Sequence, residues 1–144
     1  YNGVVLSAGP GNPAENEKQI KLASELLASG IAMLGVGLGH QIKALSQGAE
    51  AVKMKCGHRG GNQPVKKVGS DKIIITSQNH GYTVDIKSLP KSAKVTYINV
   101  NDGTCEGIKY SKKASSVQFA PESGVGPLDA QYILDEFVKT MEVK

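Results

Sequence analysis

Apolar residues fall along this chain in two rhythms. "GVVLS" (3–7) is a continuous apolar run stopped by the Gly/Pro cluster "AGPGNP", which predicts a buried strand. In the next segment, 14–29, Ile20, Leu22, Ala23, Leu26 and Leu27 recur at helical spacing, acids come early and Gly30 follows. That predicts an amphipathic helix with its stop signal. "IAMLGVG" (31–37) predicts a second buried strand and "HQIKALSQG" (40–48) a short helix. Strand, helix, strand, helix implies a parallel sheet with crossover helices.

Beyond residue 70 the rhythm shortens. "KIIITS", "YTVDI", "KVTYINVN", "CEGIKY" and "ASSVQF" are short β-like runs separated by turn signals, so antiparallel hairpins are expected, some of them joining the main sheet. The tail "PLDAQYILDEFVKTME" (127–142) places Ile133, Leu134, Phe137, Val138 and Met141 on one helical face, predicting a terminal helix packed on the sheet. No internal repeat or linker interrupts the pattern, so residues 1–144 read as one domain of the α/β class.

Composition adds little to this picture. Hydrophobic residues make up 40% and charged residues 21% of 144 positions, enough for a packed core. No apolar run approaches the roughly 20 residues of a membrane span, so no membrane partner is expected. The two cysteines, Cys56 and Cys105, are far apart and form no metal-like pair, so no metal and no cofactor is expected, and the setting is read as reducing and cytoplasmic. Net charge is +4. Much of it lies in 53–72, at Lys53, Lys55, Arg59, Lys66, Lys67 and Lys72. No aromatics are interleaved with these residues, which argues against nucleic acid. The segment reads as a solvated Gly-rich loop region or a protein interface.

Candidate chemistry gathers in four stretches. The loop 7–13 has glycines either side of Pro10, so backbone N–H groups at Gly9 and Gly11 can converge on an anion or a developing oxyanion; taken alone, the loop reads first as a plain tight turn. "GVGLGHQ" (35–41) has the glycine spacing of a sharp strand-to-helix elbow of the kind that carries nucleophiles, yet its centre is Gly37. The third stretch, "SQNHGY" (77–82), reads as a polar turn carrying Asn79, His80 and Tyr82. The fourth, "VQFAPESGVGP" (117–127), places Ala120 and Glu122 at the end of a strand.

Together the four stretches resemble the class I (triad-type) glutamine amidotransferase domain, most closely that of carbamoyl-phosphate synthetase small subunits. The family's elbow reads Gly-(Ile/Val)-Cys-Leu-Gly-His-Gln, against "GVGLGHQ" here. Its distal motif reads (Phe/Val)-Gln-(Gly/Phe/Tyr)-His-Pro-Glu, against "VQFAPE". "KMKCGHRGGNQPV" and "SQNHGYTVD" are similar to segments of the carbamoyl-phosphate branch.

The resemblance implies a flavodoxin-like α/β fold, a mostly parallel sheet flanked by helices with an antiparallel portion. It covers essentially the whole chain. It also implies that the family's domain begins about a strand, a helix and a strand earlier, so the chain reads as a fragment of a longer small subunit.

In the family a Cys thiolate attacks the glutamine side-chain amide, a His activates it, and a Glu orients the His. Carried over, the Cys position is Gly37, the His position is Ala120, and only Glu122 remains. Losing triad groups costs on the order of a million-fold in turnover, so the resemblance implies a silent glutaminase. Natural decay and deliberate engineering would both leave this pattern. Glutamine contacts are implied at Gly9, Gly11, Leu38, Gln41, Asn79, Gly81 and Tyr82, and the implied partners are glutamine and the large chain of the synthetase. Two other readings stay open: a glutamine-sensing module, and a hydrolase built on Ser7 or His80 with Glu122.

Overall fold

Residues 1–121 and 130–142 are described by a computed structural model. The first apolar run forms strand β1 (Gly3–Leu6), and the second forms β2 (Ala32–Val36), paired parallel with Val4 opposite Met33. Helix α1 (Glu17–Ala28) connects them, preceded by a single 3-10 turn at Pro13–Glu15. Asn12 caps that turn, its Oδ1 accepting from the Ala14 N–H at 3.0 Å, which is why the helix starts later than its periodicity suggests. Helix α2 (Leu38–Ser46) follows β2 after one residue.

All five residues of β2 are buried, because α2 and the C-terminal helix α3 (Tyr132–Glu142) both contact this strand. A strand covered on both faces reads as an unbroken apolar run. Strand β1 differs. It lies at the sheet edge, and Val5 is 52% exposed, so the first run is an edge strand rather than a buried one.

The remaining strands are β3 (Ala51–Lys67), β4 (Ile73–Val84), β5 (Lys94–Asn99), β6 (Cys105–Ser111) and β7 (Ala114–Val117). They complete one seven-stranded sheet in the order β1-β2-β7-β6-β5-β3-β4. Pairs β1–β2 and β2–β7 are parallel, and the other four pairs are antiparallel. The sheet is therefore mixed, with its parallel part confined to three strands.

Two sequence expectations are corrected here. The basic segment 53–67 is not a loop but most of β3, which pairs with β4 along nearly its whole length. The stretch 77–82 is not a turn. It lies inside β4, with His80 opposite His58 and Asn79 opposite Arg59, so the two runs "KIIITS" and "YTVDI" belong to one strand. Only Val65–Lys67 of β3 joins β5. The rest of β3 and β4 is a two-stranded ribbon: β3 is largely exposed and polar and carries no alternation to betray a strand, whereas β4 alternates, burying Ile74, Thr76 and Gln78. The ribbon shifts register between Lys53/His58 and Gly60/Gln63, irregularities that bend and twist a ribbon.

The larger apolar cluster joins Leu34, Val36, Val65, Ile74, Tyr97, Val117 and Phe119 to Ile133 and Phe137 of α3. Val138, expected on that buried face, is half exposed. A second cluster holds Ala44 and Ala49 against Val84, Cys105 and Ile108. The apolar stripe of α1 buries only Ala23 fully, and Leu22 stays half exposed. Among the described residues, no helix is long and apolar enough to cross a membrane.

Candidate functional site

The elbow "GVGLGHQ" is built by close approach. A Cβ on Gly39 would lie 2.0 Å from the Leu6 carbonyl oxygen, and one on Gly35 would lie 2.8 Å from the Gly39 carbonyl oxygen. Both positions must be glycine for α2 to sit against β1 and β2. Gly37 is the residue between strand and helix, with φ +58° and ψ −115°. An L-residue there is strained. The conformation is fixed from both sides: the Gly37 N–H donates to the Val117 carbonyl at 3.0 Å, and its own carbonyl accepts from the Gln41 N–H at 3.3 Å. A Cβ at 37 would meet the Ala8 Cβ at 3.0 Å. The turn thus holds a backbone conformation that would strain any L-residue, and glycine occupies it without a side chain.

A cleft of about 640 Å³ opens over this elbow. Gly9 and Gly11 line it from the loop after β1, Gly37, Leu38 and Gln41 from the elbow, and Asn79, Gly81 and Tyr82 from β4. Ala120 completes the lining beside Gln118, so the structure gathers these sequence-selected residues around one space. Ala120 is held to β4 by its N–H, which donates to the Ser77 carbonyl at 2.9 Å. Gln41 is buried, and its amide N–H groups go to the Tyr82 carbonyl at 2.7 Å and Gln118 Oε1 at 2.9 Å. It ties helix, ribbon and strand end together at the cleft wall. Glu122 lies outside the described residues, and Ser7 is absent from the lining.

One wall of the cleft carries charge. Arg59 lines it and donates from Nη1 to the Cys56 carbonyl at 2.7 Å. His80 donates from Nδ1 to the Tyr82 carbonyl at 2.8 Å, and burial pushes its pKa down to about 4. Behind it, His58 is buried between two carboxylates, Asp102 at 2.6 Å from Nε2 and Glu106 at 3.3 Å from Nδ1. The Glu106 contact, helped by Asp102 and opposed by burial, lifts the His58 pKa to about 9. Burial raises the Glu106 carboxyl above its ordinary value. Asp102 would rise with burial too, but hydrogen bonds from Thr104 and His58 outweigh that and hold it low.

Sequence reasoning missed Arg59, Gln78 and Gln118 as lining residues. Arg59 was submerged in a basic segment read as loop. Only the strand register, which sets it opposite Asn79, brings it to the cleft. Gln118 sits in the distal motif itself and was passed over for its neighbours.

The family model for glutamine amidotransferase class-I matches residues 1–140. The carbamoyl phosphate synthase small chain of Staphylococcus epidermidis is 48% identical over 143 residues, 98% of this chain and 39% of that protein. The Fusobacterium nucleatum small chain is 42% identical over 143 residues, 98% of this chain and 40% of its own. The chain thus spans about two-fifths of the length of these curated relatives. Among solved structures, a glutamine amidotransferase from Thermotoga maritima superimposes with a TM-score of 0.74 at 29% identity, covering 99% of this chain and 64% of that one. A putative GMP synthase component from Thermoplasma acidophilum does so at 0.81 and 22% identity, covering 98% and 73%, a likeness of fold alone. The chain belongs to the class-I glutamine amidotransferases.

Proposed function

We propose that this chain is the amidotransferase domain of a carbamoyl-phosphate synthetase, one that holds glutamine without splitting it. The reading rests on one observation: the elbow keeps its strained conformation over a lined cleft, while its central residue, Gly37, has no side chain. Amide hydrolysis by a triad needs a nucleophile at the elbow and a base within hydrogen-bond reach of it. Gly37 supplies no attacking atom and Ala120 supplies no base. What remains suits binding. The Leu38 backbone opens the first turn of α2 toward the cleft, Gly9 and Gly11 offer unobstructed backbone, and Asn79 and Tyr82 add polar contacts. The small-chain relatives point to a large synthetase chain as partner. Such a complex would draw on free ammonia, and this domain's task would be to dock on the synthetase.

The experiment pairs binding with turnover. Calorimetry should detect glutamine binding to the purified chain, while a glutaminase assay reads no ammonia release above background. The double variant Gly37→Cys with Ala120→His should then release ammonia at least roughly a thousand-fold faster than the parent, because it returns the two missing triad groups. Steady hydrolysis by the unmodified chain sinks the proposal, and so does absence of binding at millimolar glutamine.

A further inference from the structure

The β3–β4 register sets His58 directly opposite His80, and β6 brings Glu106 to the same point. One ligand atom from each lies within 4.8 Å of the others. We propose that His58, His80 and Glu106, with Gln78 as a fourth donor, bind a single divalent transition-metal ion, zinc being the best match to the donor set. Nothing along the chain hints at this, since the donors come from three strands with none of the close spacing of familiar metal motifs.

Lone pairs outnumber protons at this point. His80 directs Nδ1 at the Tyr82 carbonyl, 2.8 Å away, so Nδ1 carries the proton and Nε2 of the neutral ring presents a lone pair. His58 directs Nε2 at Asp102 Oδ2, 2.6 Å away, and without an ion its Nδ1 carries a second proton facing Glu106; a bound cation would take that proton's place and use the Nδ1 lone pair. The orientation of Gln78 is fixed as well. Its Nε2 donates to Thr76 Oγ1 at 3.0 Å, and that hydroxyl donates onward to the Gln63 carbonyl at 2.8 Å. Its Oε1 therefore faces the histidines, 3.1 Å from His58 Nδ1 and 2.7 Å from His80 Nε2.

Four acceptors thus converge where one proton on His58 Nδ1 could satisfy only one of its three neighbours. Glu106 is fully buried, and its Oε2 has no hydrogen-bond partner among the described residues. A cation resolves all of this at once, and a charge of +2 balances the carboxylates of Glu106 and Asp102.

The His58 distances match the assignment, and the Gln78 Oε1 contacts of 2.7 and 3.1 Å would lengthen by a few tenths of an ångström as the ion enters. His58 Nδ1 lies 3.3 Å from His80 Nε2 and 3.3 Å from Glu106 Oε1. A tetrahedral ion with bonds of about 2.0–2.1 Å spaces its ligands about 3.3–3.4 Å apart. Two nitrogens and two oxygens suit Zn²⁺. The outer contacts are those that orient metal-bound imidazoles, a carboxylate on one ring and a backbone carbonyl on the other. The ion would clamp the β3–β4 ribbon to β6 behind the cleft, since His80 and Gln78 also line it.

The test uses untagged protein, stripped with a chelator and titrated with Zn²⁺ in a calorimeter and with Co²⁺ in a spectrophotometer. The expected result is one equivalent bound, the intense visible bands of tetrahedral Co²⁺, and a Tm that rises with Zn²⁺. Glu106→Gln keeps the side chain's shape and should weaken binding at least about 100-fold. Asp102→Asn, which touches only the outer shell, should weaken it by about 10- to 100-fold. Failure of the unmodified protein to take up either ion saturably overturns the proposal, whatever the variants do. So does uptake that persists undiminished in Glu106→Gln and His80→Ala but is lost when Cys56 is alkylated.

Discussion

Lys43 lies in the middle of α2 with none of its surface exposed, and its Nζ donates to the Met33 and Ser115 carbonyls at 3.2 and 3.0 Å. Burial lowers its pKa to about 7 from an ordinary 10.5. Between those values the unfolded chain binds the extra proton, so this residue's contribution to stability climbs as pH rises from 7 toward 10.5 and is least favourable below 7. Lys43→Met should therefore be more stable than the parent at pH 7, by a few kcal/mol at most, and its advantage should shrink near pH 10. Urea unfolding at the two pH values reads this directly; a difference that stays constant with pH contradicts it. No periodicity in "HQIKALSQ" flags a buried lysine, because Lys reads as solvent-facing wherever it occurs. Gly37 and Ala120 were legible for the opposite reason: each is a small residue inside a motif whose other positions specify what should stand there.

At the scale of elements, α2 is seated by Gly39 against the Leu6 carbonyl. Gly39→Ala should force α2 off β1, costing about 1–3 kcal/mol or more and disturbing the whole elbow. The check is chemical denaturation together with loss of glutamine binding; parental stability in the Gly39→Ala variant would mean that the contact relaxes freely. Elements with a strong period were legible to within a few residues. α1, β2, α2 and β6 all stand where their apolar spacing puts them, because burial on a defined face leaves its mark in sequence. The β3–β4 ribbon was legible only at the two ends of β4, where "KIIITS" and "YTVDI" read as β-like runs. The residues of β3 are largely exposed and polar, so neither alternation nor apolar run survives there, and what defines that strand is backbone pairing with β4. Arg59 on the cleft wall, and His58 behind it, were invisible for the same reason, whereas His80 was picked out by its motif.

Across the whole molecule, one sheet runs from β1 to β4 and carries apolar clusters that share its strands. Phe137 anchors α3 in the larger cluster. Phe137→Ala should cost about 3–5 kcal/mol, and amide exchange in α2 and α3 should accelerate together because the strands between them belong to one cooperative unit. Exchange that quickens in α3 alone would show that the two sides open independently. The mixed character of the sheet was readable only in outline. A parallel start and hairpin-like runs after residue 70 follow from the sequence, whereas the order that inserts β7 beside β2 depends on long-range pairing that no local pattern encodes.

Cys56 is exposed on β3 and Cys105 is buried. A thiol-alkylating reagent silences an enzyme whose nucleophile is a cysteine, and such a reagent would find a target here too. It would mark the outer ribbon beside Arg59, leaving the glycine at the elbow untouched. Labelling alone would report on the ribbon and not on the elbow, so covalent modification of this chain says nothing about turnover until the modified residue has been mapped.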